Sequence, residues 1–200
     1  KGPLSALEFI KQTDLNLFTE NEIKADWLAM KASIYGQYRD WDTAWRLMEE
    51  SESISPRREW LIVERAYLLE QQDKYDEALL EISNIPSSSK YCRAGGYFKA
   101  YLLYLKNDKD NAIKLLEDIA GNSESVRVFM QLFRWYSNDN LTLQAEVYLE
   151  KAKALVNDVD NSFAEDISTA SFEVLYKKEE FSSKLLDFMK AEWKSFPVLS

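Results

Sequence analysis

Apolar residues return every three or four positions along most of this chain, and short polar segments interrupt them. This spacing is typical of amphipathic α-helices, and it predicts an all-α fold of about ten or eleven helices. A leading helix over residues 4–18 comes first, and the other helices follow in consecutive pairs. The predicted pairs span residues 23–38 and 40–53, 60–71 and 75–85, 91–105 and 110–119, 126–136 and 141–156, and 163–176 and 181–193.

A small residue returns inside these pairs at a near-constant period. Ala44, Ala78 and Ala112 are 34 residues apart, Ala145 follows 33 residues later, and Ala32, Ala66 and Ala100 also keep a period of 34. Helices this short cannot bury their apolar faces in isolation, so each pair is expected to pack antiparallel and to stack on the next pair. The repeat predicts a single solenoid domain over residues 1–200. Its predicted parts are a leading helix at 1–22, repeats at 23–56, 57–90, 91–122 and 123–160, and a degenerate terminal helix pair at 161–200.

The first of these repeats resembles the tetratricopeptide repeat. From Leu28 onward the chain carries the residue types of that family's pattern at the family's offsets, namely Ala32, Tyr35, Trp41, Ala44, Met48, Ser51 and Pro56. Later repeats depart at single positions, since Phe133 stands where a small residue belongs and Lys109 and Thr142 replace an aromatic one. The resemblance covers about residues 24–157 and implies a right-handed superhelical solenoid of stacked antiparallel helix pairs.

The resemblance also implies that the first helix of each pair lines a concave groove, which commonly holds an extended peptide or a partner's helix. The family's groove-facing offsets fall on Asp26, Ala29, Ser33, Trp60, Val63, Tyr67, Ala94, Tyr97, Tyr101, Tyr104, Arg127, Met130 and Arg134. Some members hold a chaperone's C-terminal carboxylate with a clamp of lysine and asparagine. This chain has Ala29 and Ser33, then Val63 and Tyr67 at the matching offsets, so that clamp is not expected.

Large aromatic residues and arginines among these offsets are the candidate partner-binding residues, because they combine contact area with a polar group. They are Trp60, Tyr67, Tyr97, Tyr101, Tyr104, Arg127 and Arg134. Tyr97, Tyr101 and Tyr104 lie at i, i+4 and i+7 and so share one helical face, which lines the groove or, alternatively, belongs to the core. Arg127 and Arg134 bind a carboxylate or an aromatic ring of the partner or, alternatively, pair with acidic residues of the chain itself.

Composition narrows the classes of function. The net charge of −9 argues against nucleic acid as a partner, because affinity for phosphates comes mainly from Lys and Arg. No apolar run approaches the roughly 20 residues that span a bilayer, so membrane insertion is not expected. The absence of histidine and the single cysteine, Cys92, remove the commonest general base and the usual zinc ligands. We therefore expect no metal, no cofactor and no catalysis, and a cytoplasmic location unless a targeting segment has been removed.

Three hypotheses for function follow. The first is a non-catalytic interaction scaffold that binds a peptide or protein segment in the concave groove. The second is a regulatory or spacer domain of a larger signalling or secretion protein. The third is self-association as a homodimer through the terminal helices, where Phe188, Trp193 and Phe196 form an apolar group that docks a second copy or, alternatively, caps the fifth helix pair.

Overall fold

The computed structural model describes residues 3–56, 58–122, 124–156, 163–178 and 186–191, and the regular structure within these residues is helical. The α-helices are α1 Pro3–Gln12, α2 Asn21–Gln37, α3 Trp41–Ile54, α4 Glu59–Glu70, α5 Tyr75–Ile82, α6 Cys92–Leu105, α7 Lys109–Asn122, α8 Val126–Asn138, α9 Thr142–Leu155 and α10 Ala164–Lys177. A short 3-10 helix, Leu15–Leu17, lies between α1 and α2. Residues 186–191 are helical as well. The prediction of an all-α fold of consecutive antiparallel pairs is confirmed.

The chain divides into two compact units, Lys1–Ala112 and Ile113–Ser200, and helix α7 begins in the first and ends in the second. Within the first unit, α2 packs on α3 and α4 packs on α5. Within the second, α8 packs on α9, and α9 contacts α10. The single solenoid domain over residues 1–200 stays a prediction.

The first unit is built around the repeated small residues. Its six alanines in the two repeat registers, Ala32, Ala44, Ala66, Ala78, Ala100 and Ala112, are all 0% exposed. Large side chains fill the space around them, with Leu28 and Leu68 in one cluster and Phe98 and Leu102 in another. An alanine side chain adds little width, so each pair of helices approaches closely and the larger residues interlock beside the contact.

Gly95 marks a second close approach. A Cβ atom added at this position would lie 2.8 Å from Cδ1 of Ile85, closer than carbon atoms normally come. Glycine inside a helix costs about 1 kcal/mol relative to alanine. A larger residue at this position would need the Ile85 side chain to shift, so glycine fits the tight packing of α6 against the end of the preceding pair as it stands.

The second unit has a core of larger residues. Phe133 of α8 is almost fully buried and packs with Ala145 and Leu149 of α9 and with Ala170 and Val174 of α10. Phe133 occupies the position where the other repeats have alanine. Helices α8, α9 and α10 therefore share one core.

The turn between the two helices of each repeat has the same backbone conformation four times. Arg39, Asp73, Asn107 and Asn140 adopt φ angles of 60°, 59°, 64° and 59°. In each case the next residue's N–H donates to the carbonyl five residues before it, as in Lys74 to Leu69 at 3.0 Å and Leu141 to Tyr136 at 2.9 Å. The left-handed residue ends the first helix, and the hydrogen bond from the residue after it satisfies one of the terminal carbonyls of that helix. The four positions keep the spacings of 34, 34 and 33 that the alanines show.

Several sequence predictions need correction. Helix α1 ends at Gln12 rather than near residue 18, because the Asp14 carboxylate accepts a bond from the N–H of Asn16 and starts a separate 3-10 helix. Met30 stands in the apolar spacing of α2 with Trp27 and Ile34, which predicts that it is buried, but it is 39% exposed, whereas Ala29 and Ala32 are buried.

The predicted terminal apolar group is only partly within the described residues. Phe188 lies in the helical residues 186–191, while Trp193 and Phe196 lie outside the residues that the structure describes.

Candidate functional site

The predicted partner-binding residues fall on three helices. Helix α4 carries Trp60 and Tyr67, and helix α6 carries Tyr97, Tyr101 and Tyr104, all in the first unit. Helix α8, in the second unit, carries the remaining two, Arg127 and Arg134.

Two of the tyrosines contact one buried phenylalanine. The ring centroids of Tyr67 and Phe98 are 4.1 Å apart, and those of Phe98 and Tyr101 are 6.2 Å apart. Phe98 is 2% exposed and anchors the contact, whereas Tyr67 is 38% exposed. Tyr101 is half-buried against the same core. We call Tyr67, Phe98 and Tyr101 the α4–α6 aromatic cluster; its base is core and its rim is surface.

The other two tyrosines of the predicted row lie on the same helix. Burial raises the pKa of Tyr101, and the charge of Glu70 and then the half-buried Tyr97 raise it further. The ammonium of Lys109 lies 5.5 Å from the ring centroid of Tyr104. Of this row, Tyr101 packs on the core, as one of the two alternatives predicted. That the row lines a groove stays a prediction.

Acidic side chains flank the α4–α6 aromatic cluster. Glu64 of α4 is half-buried, and this burial raises its pKa, while a hydrogen bond from the Ser33 hydroxyl of α2 lowers it in part. Burial, and then the nearby Asp73 carboxylate, raise the pKa of Glu70. Within the described residues, neither Glu64 nor Glu70 forms a salt bridge. Sequence reasoning missed both carboxylates, because glutamates on helix surfaces are common in an acidic chain.

Trp60 takes part in a different cavity. It packs against the core of the first repeat and lines a cavity of about 310 Å³ with Glu22, Arg58, Glu59, Lys90 and Tyr91. Arg58 was not among the predicted residues. Its guanidinium lies 2.8 Å from both carboxylate oxygens of Asp26 and 2.8 Å from Glu22. The charge of Arg58 is therefore neutralised within the chain.

The two arginines of α8 are exposed. Arg134 forms an ion pair with Asp166 of α10 at 3.1 Å, which is the intrachain pairing expected as one alternative. The family resemblance also places Ala29, Val63 and Met130 in the groove. These three residues are instead buried in the core.

The second unit holds a cluster that the sequence did not predict. The hydroxyls of Tyr136 and Tyr148 donate to the same Oε1 atom of Glu117, at 2.8 and 2.7 Å. The two rings stack, with centroids 5.7 Å apart and planes 5° from parallel. The Lys151 ammonium lies 4.8 Å from the Tyr148 ring centroid. We call Glu117, Tyr136 and Tyr148 the Glu117 cluster, which ties α7, α8 and α9 together.

The electrostatics of the Glu117 cluster follow from this geometry. Burial, the bond to Glu117 and its charge raise the pKa of Tyr136 to about 12, in that order of importance. The same causes raise the pKa of Tyr148 further. Beside the cluster is a cavity of about 530 Å³, lined on its polar side by Glu117, Asn122, Glu124 and Lys151. The tyrosine hydroxyls serve as internal donors here, with their acceptor supplied by the chain.

The described residues contain neither a candidate metal-binding group nor a helix that could span a membrane. Among them, no group of three or more His, Cys, Asp or Glu side chains is arranged to hold a metal ion. The helices built from these residues include none with the length and apolar character needed to cross a bilayer. Cys92 is a free, exposed thiol.

No protein-family profile and no curated protein matches the sequence. Solved structures do match over most of the chain. PilW, described as a widely conserved type IV pilus biogenesis factor, aligns with a TM-score of 0.66 at 13% identity, over 86% of this chain and 78% of PilW. PilF of Pseudomonas aeruginosa aligns with a TM-score of 0.62 at 12% identity, over 86% and 77% of the two chains.

A third similar structure contains repeats that are themselves described as TPR-like. The nearly identical repeats of a putative kinesin light chain from Podosopora anserina align with a TM-score of 0.64 at 14% identity, over 89% of this chain and 99% of that one. At these identities the likeness is one of fold. The fold is that of the tetratricopeptide-repeat proteins, as the resemblance in the first repeat predicted.

Proposed function

We propose that this chain is a non-catalytic interaction module whose first unit binds an extended peptide or a segment of a partner protein across α4 and α6. Tetratricopeptide-repeat folds generally serve as protein-interaction modules. The observation that carries the proposal is the α4–α6 aromatic cluster, in which a buried Phe98 supports the partly exposed rings of Tyr67 and Tyr101. Tyrosines held in this way are typical of binding hot spots.

The support from Phe98 matters for affinity. A side chain that is already fixed by packing loses little rotamer freedom when a partner binds, so more of the contact energy appears as affinity. Tyr67 is such a residue, because its ring rests on Phe98 while 38% of it remains exposed. Trp60, Tyr97 and Tyr104 of the same unit are proposed to add contacts to the partner. Arg127 and Arg134 of the second unit stay predicted partner-binding residues.

The remaining parts of the initial interpretation stay predictions. They are a regulatory or spacer role within a larger signalling or secretion protein, a homodimer through the terminal helices, and a cytoplasmic location. The net charge of −9 continues to disfavour nucleic acid as the partner.

The proposal is tested by selecting peptides from a random displayed library on the wild-type chain and measuring their affinities for two matched double variants. Tyr67→Ser with Tyr101→Ser removes the two rings from the rim of the cluster. Leu80→Ser with Leu143→Ser removes two side chains that are each 72% exposed and lie on α5 and α9, outside the cluster.

We expect the tyrosine double variant to weaken binding by about tenfold or more, since truncating a hot spot costs about 2 kcal/mol or more. The leucine double variant should bind as the wild type does. Equal affinities for all three proteins, with unchanged helical circular dichroism, would contradict the proposed function.

A further inference from the structure

The carboxylates beside the α4–α6 aromatic cluster point to the chemistry of the partner. We propose that this surface binds a cationic side chain of the partner peptide, an arginine in preference to a lysine, between the Glu64 carboxylate and the ring of Tyr67. This inference rests on the proposed function, and it adds the chemical class of the group that is recognised.

The two groups are held side by side. Glu64 and Tyr67 are three residues apart on α4, and side chains at that spacing are neighbours on one helical face. The Ser33 hydroxyl of α2 hydrogen-bonds the Glu64 carboxylate from one side. Phe98 of α6 supports the Tyr67 ring from the other side, at a centroid distance of 4.1 Å. The acceptor and the aromatic face are therefore positioned before any partner arrives.

Among the described residues, the half-buried Glu64 has no cation beside it, in contrast to two other half-buried carboxylates. Glu81 pairs with Arg65, and Glu146 pairs with Lys178. In the part of the chain that the structure describes, Glu64 has the Ser33 hydroxyl and no lysine or arginine within salt-bridge distance. A carboxylate that is partly desolvated and unpaired is unfavourable, so a cation supplied by a partner would offset its desolvation.

The surroundings favour a cation over an apolar or acidic group. The face of an aromatic ring attracts positive charge, and a planar guanidinium both stacks on a tyrosine and bonds a carboxylate with two N–H groups. Glu70, the next carboxylate along α4, interacts electrostatically with Tyr101 and adds negative potential on the far side of Tyr67. Glu70 shares a cavity of about 370 Å³ with Arg39, so Glu64 is the better primary contact.

The test is a double-mutant cycle on the peptides selected with the wild-type chain. In each peptide the arginine is replaced by citrulline, which has nearly the same shape but no charge. Each peptide is measured against wild type, Glu64→Gln and a matched control, Glu77→Gln, which changes an exposed glutamate on α5. All three proteins keep the two tyrosines.

We expect the selected peptides to share an arginine, and a shared lysine in its place would overturn the preference for arginine. We expect citrulline to weaken binding to wild type by about tenfold, as for a lost hydrogen bond to a charged group. Citrulline in place of arginine should weaken binding to the Glu64→Gln variant by less than about threefold, because the carboxylate that pairs with the guanidinium is already absent. Glu77→Gln should behave as the wild type.

The alternative outcomes separate the two proposals. Peptides that share no cationic residue, or that bind Glu64→Gln as well as wild type, while losing affinity for the tyrosine double variant, would overturn this inference and leave the proposed function standing. Peptides that bind the tyrosine double variant unchanged would overturn both, and so would a selection that yields no binding peptide.

Discussion

The two units each contain tyrosines next to glutamates, but the two arrangements differ in where the polar groups find their partners. In the Glu117 cluster, Tyr136 and Tyr148 both donate to one carboxylate, and the rings stack on each other. In the α4–α6 aromatic cluster, the tyrosine rings pack on Phe98. The nearby Glu64 carboxylate accepts a hydrogen bond from the Ser33 hydroxyl of α2 and not from a tyrosine of the cluster.

This difference separates a structural role from the proposed binding role. A cluster whose donors and acceptors satisfy one another is internally complete, and it stabilises the packing of the helices that carry it. In the proposed function, the partly exposed rings of the α4–α6 aromatic cluster and the unpaired Glu64 carboxylate beside them are completed by a partner that supplies a positive charge. Periodicity alone does not distinguish the two, because both place tyrosines at helical spacing.

The largest expected effect concerns the base of the α4–α6 aromatic cluster. Phe98→Ala should lower the free energy of unfolding by about 3–5 kcal/mol, because it removes a buried ring and leaves a cavity. Tyr67→Ala, which removes a partly exposed ring, should cost less than about 1.5 kcal/mol. Urea denaturation followed by circular dichroism measures both values. Equal losses would mean that the rim of the cluster is core, and the comparison between base and rim would fail.

The next effect concerns the Glu117 cluster. Glu117→Ala should lower the free energy of unfolding by about 1–3 kcal/mol, because two tyrosine hydroxyls lose their common hydrogen-bond acceptor. The loss stays in this range because both hydroxyls remain partly hydrated. Asp118→Ala, at the neighbouring exposed position, is the control and should change stability by less than about 0.5 kcal/mol. If the two variants lose the same stability in urea, the Glu117 carboxylate does not hold α7, α8 and α9 together.

A smaller effect should appear at alkaline pH. Because Tyr136 has a folded-state pKa of about 12 and an unfolded value near 10, the folded state favours its protonated form. The stability that this provides is fully present below about pH 10 and is lost as the pH rises through 12. Ultraviolet titration of tyrosinate in wild type and Tyr136→Phe should show one group missing from the upper end of that range in the variant. A missing group near pH 10 instead would contradict the prediction.

The smallest effect is a gain in stability. Because burial raises the pKa of Glu64, its charged form is disfavoured in the folded state, and wild type carries this penalty at neutral pH. Glu64→Gln should therefore raise the melting temperature at pH 7 by about 1–3 °C. The gain should shrink as the pH falls through the raised pKa toward the ordinary one, since wild type then becomes neutral as well. A lower melting temperature at pH 7 would mean that the carboxylate stabilises the chain.

The helix pairs could be predicted from the sequence because their physical requirement is local and repeats. A close helix crossing needs a small residue, and the alanines at 34-residue spacing marked the pairs α2–α3 and α4–α5. The end of α1 was not predicted, because the apolar residue Leu17 continues the helical spacing past it. The Asp14 side chain instead caps a separate 3-10 helix.

The candidate site could be predicted only in part. Helical spacing placed Tyr97, Tyr101 and Tyr104 on one face, but it carried no information about which neighbouring helix covers that face. The importance of Glu64 depends on a serine of α2, and that of Glu117 depends on tyrosines 19 and 31 residues further along the chain. Such partners are known only once the helices are packed.

The four left-handed turn residues make the chain divisible at regular points. A segment that starts just after Arg39 and ends at Asp73 begins and ends at equivalent backbone positions, and so does the segment from Lys74 to Asn107. Excision of either segment would join one turn to the matching half of the next without requiring a new turn conformation. Gene duplication or loss in units of 34 residues can therefore lengthen or shorten such a chain one helix pair at a time, and the surface open to a partner changes in the same discrete steps.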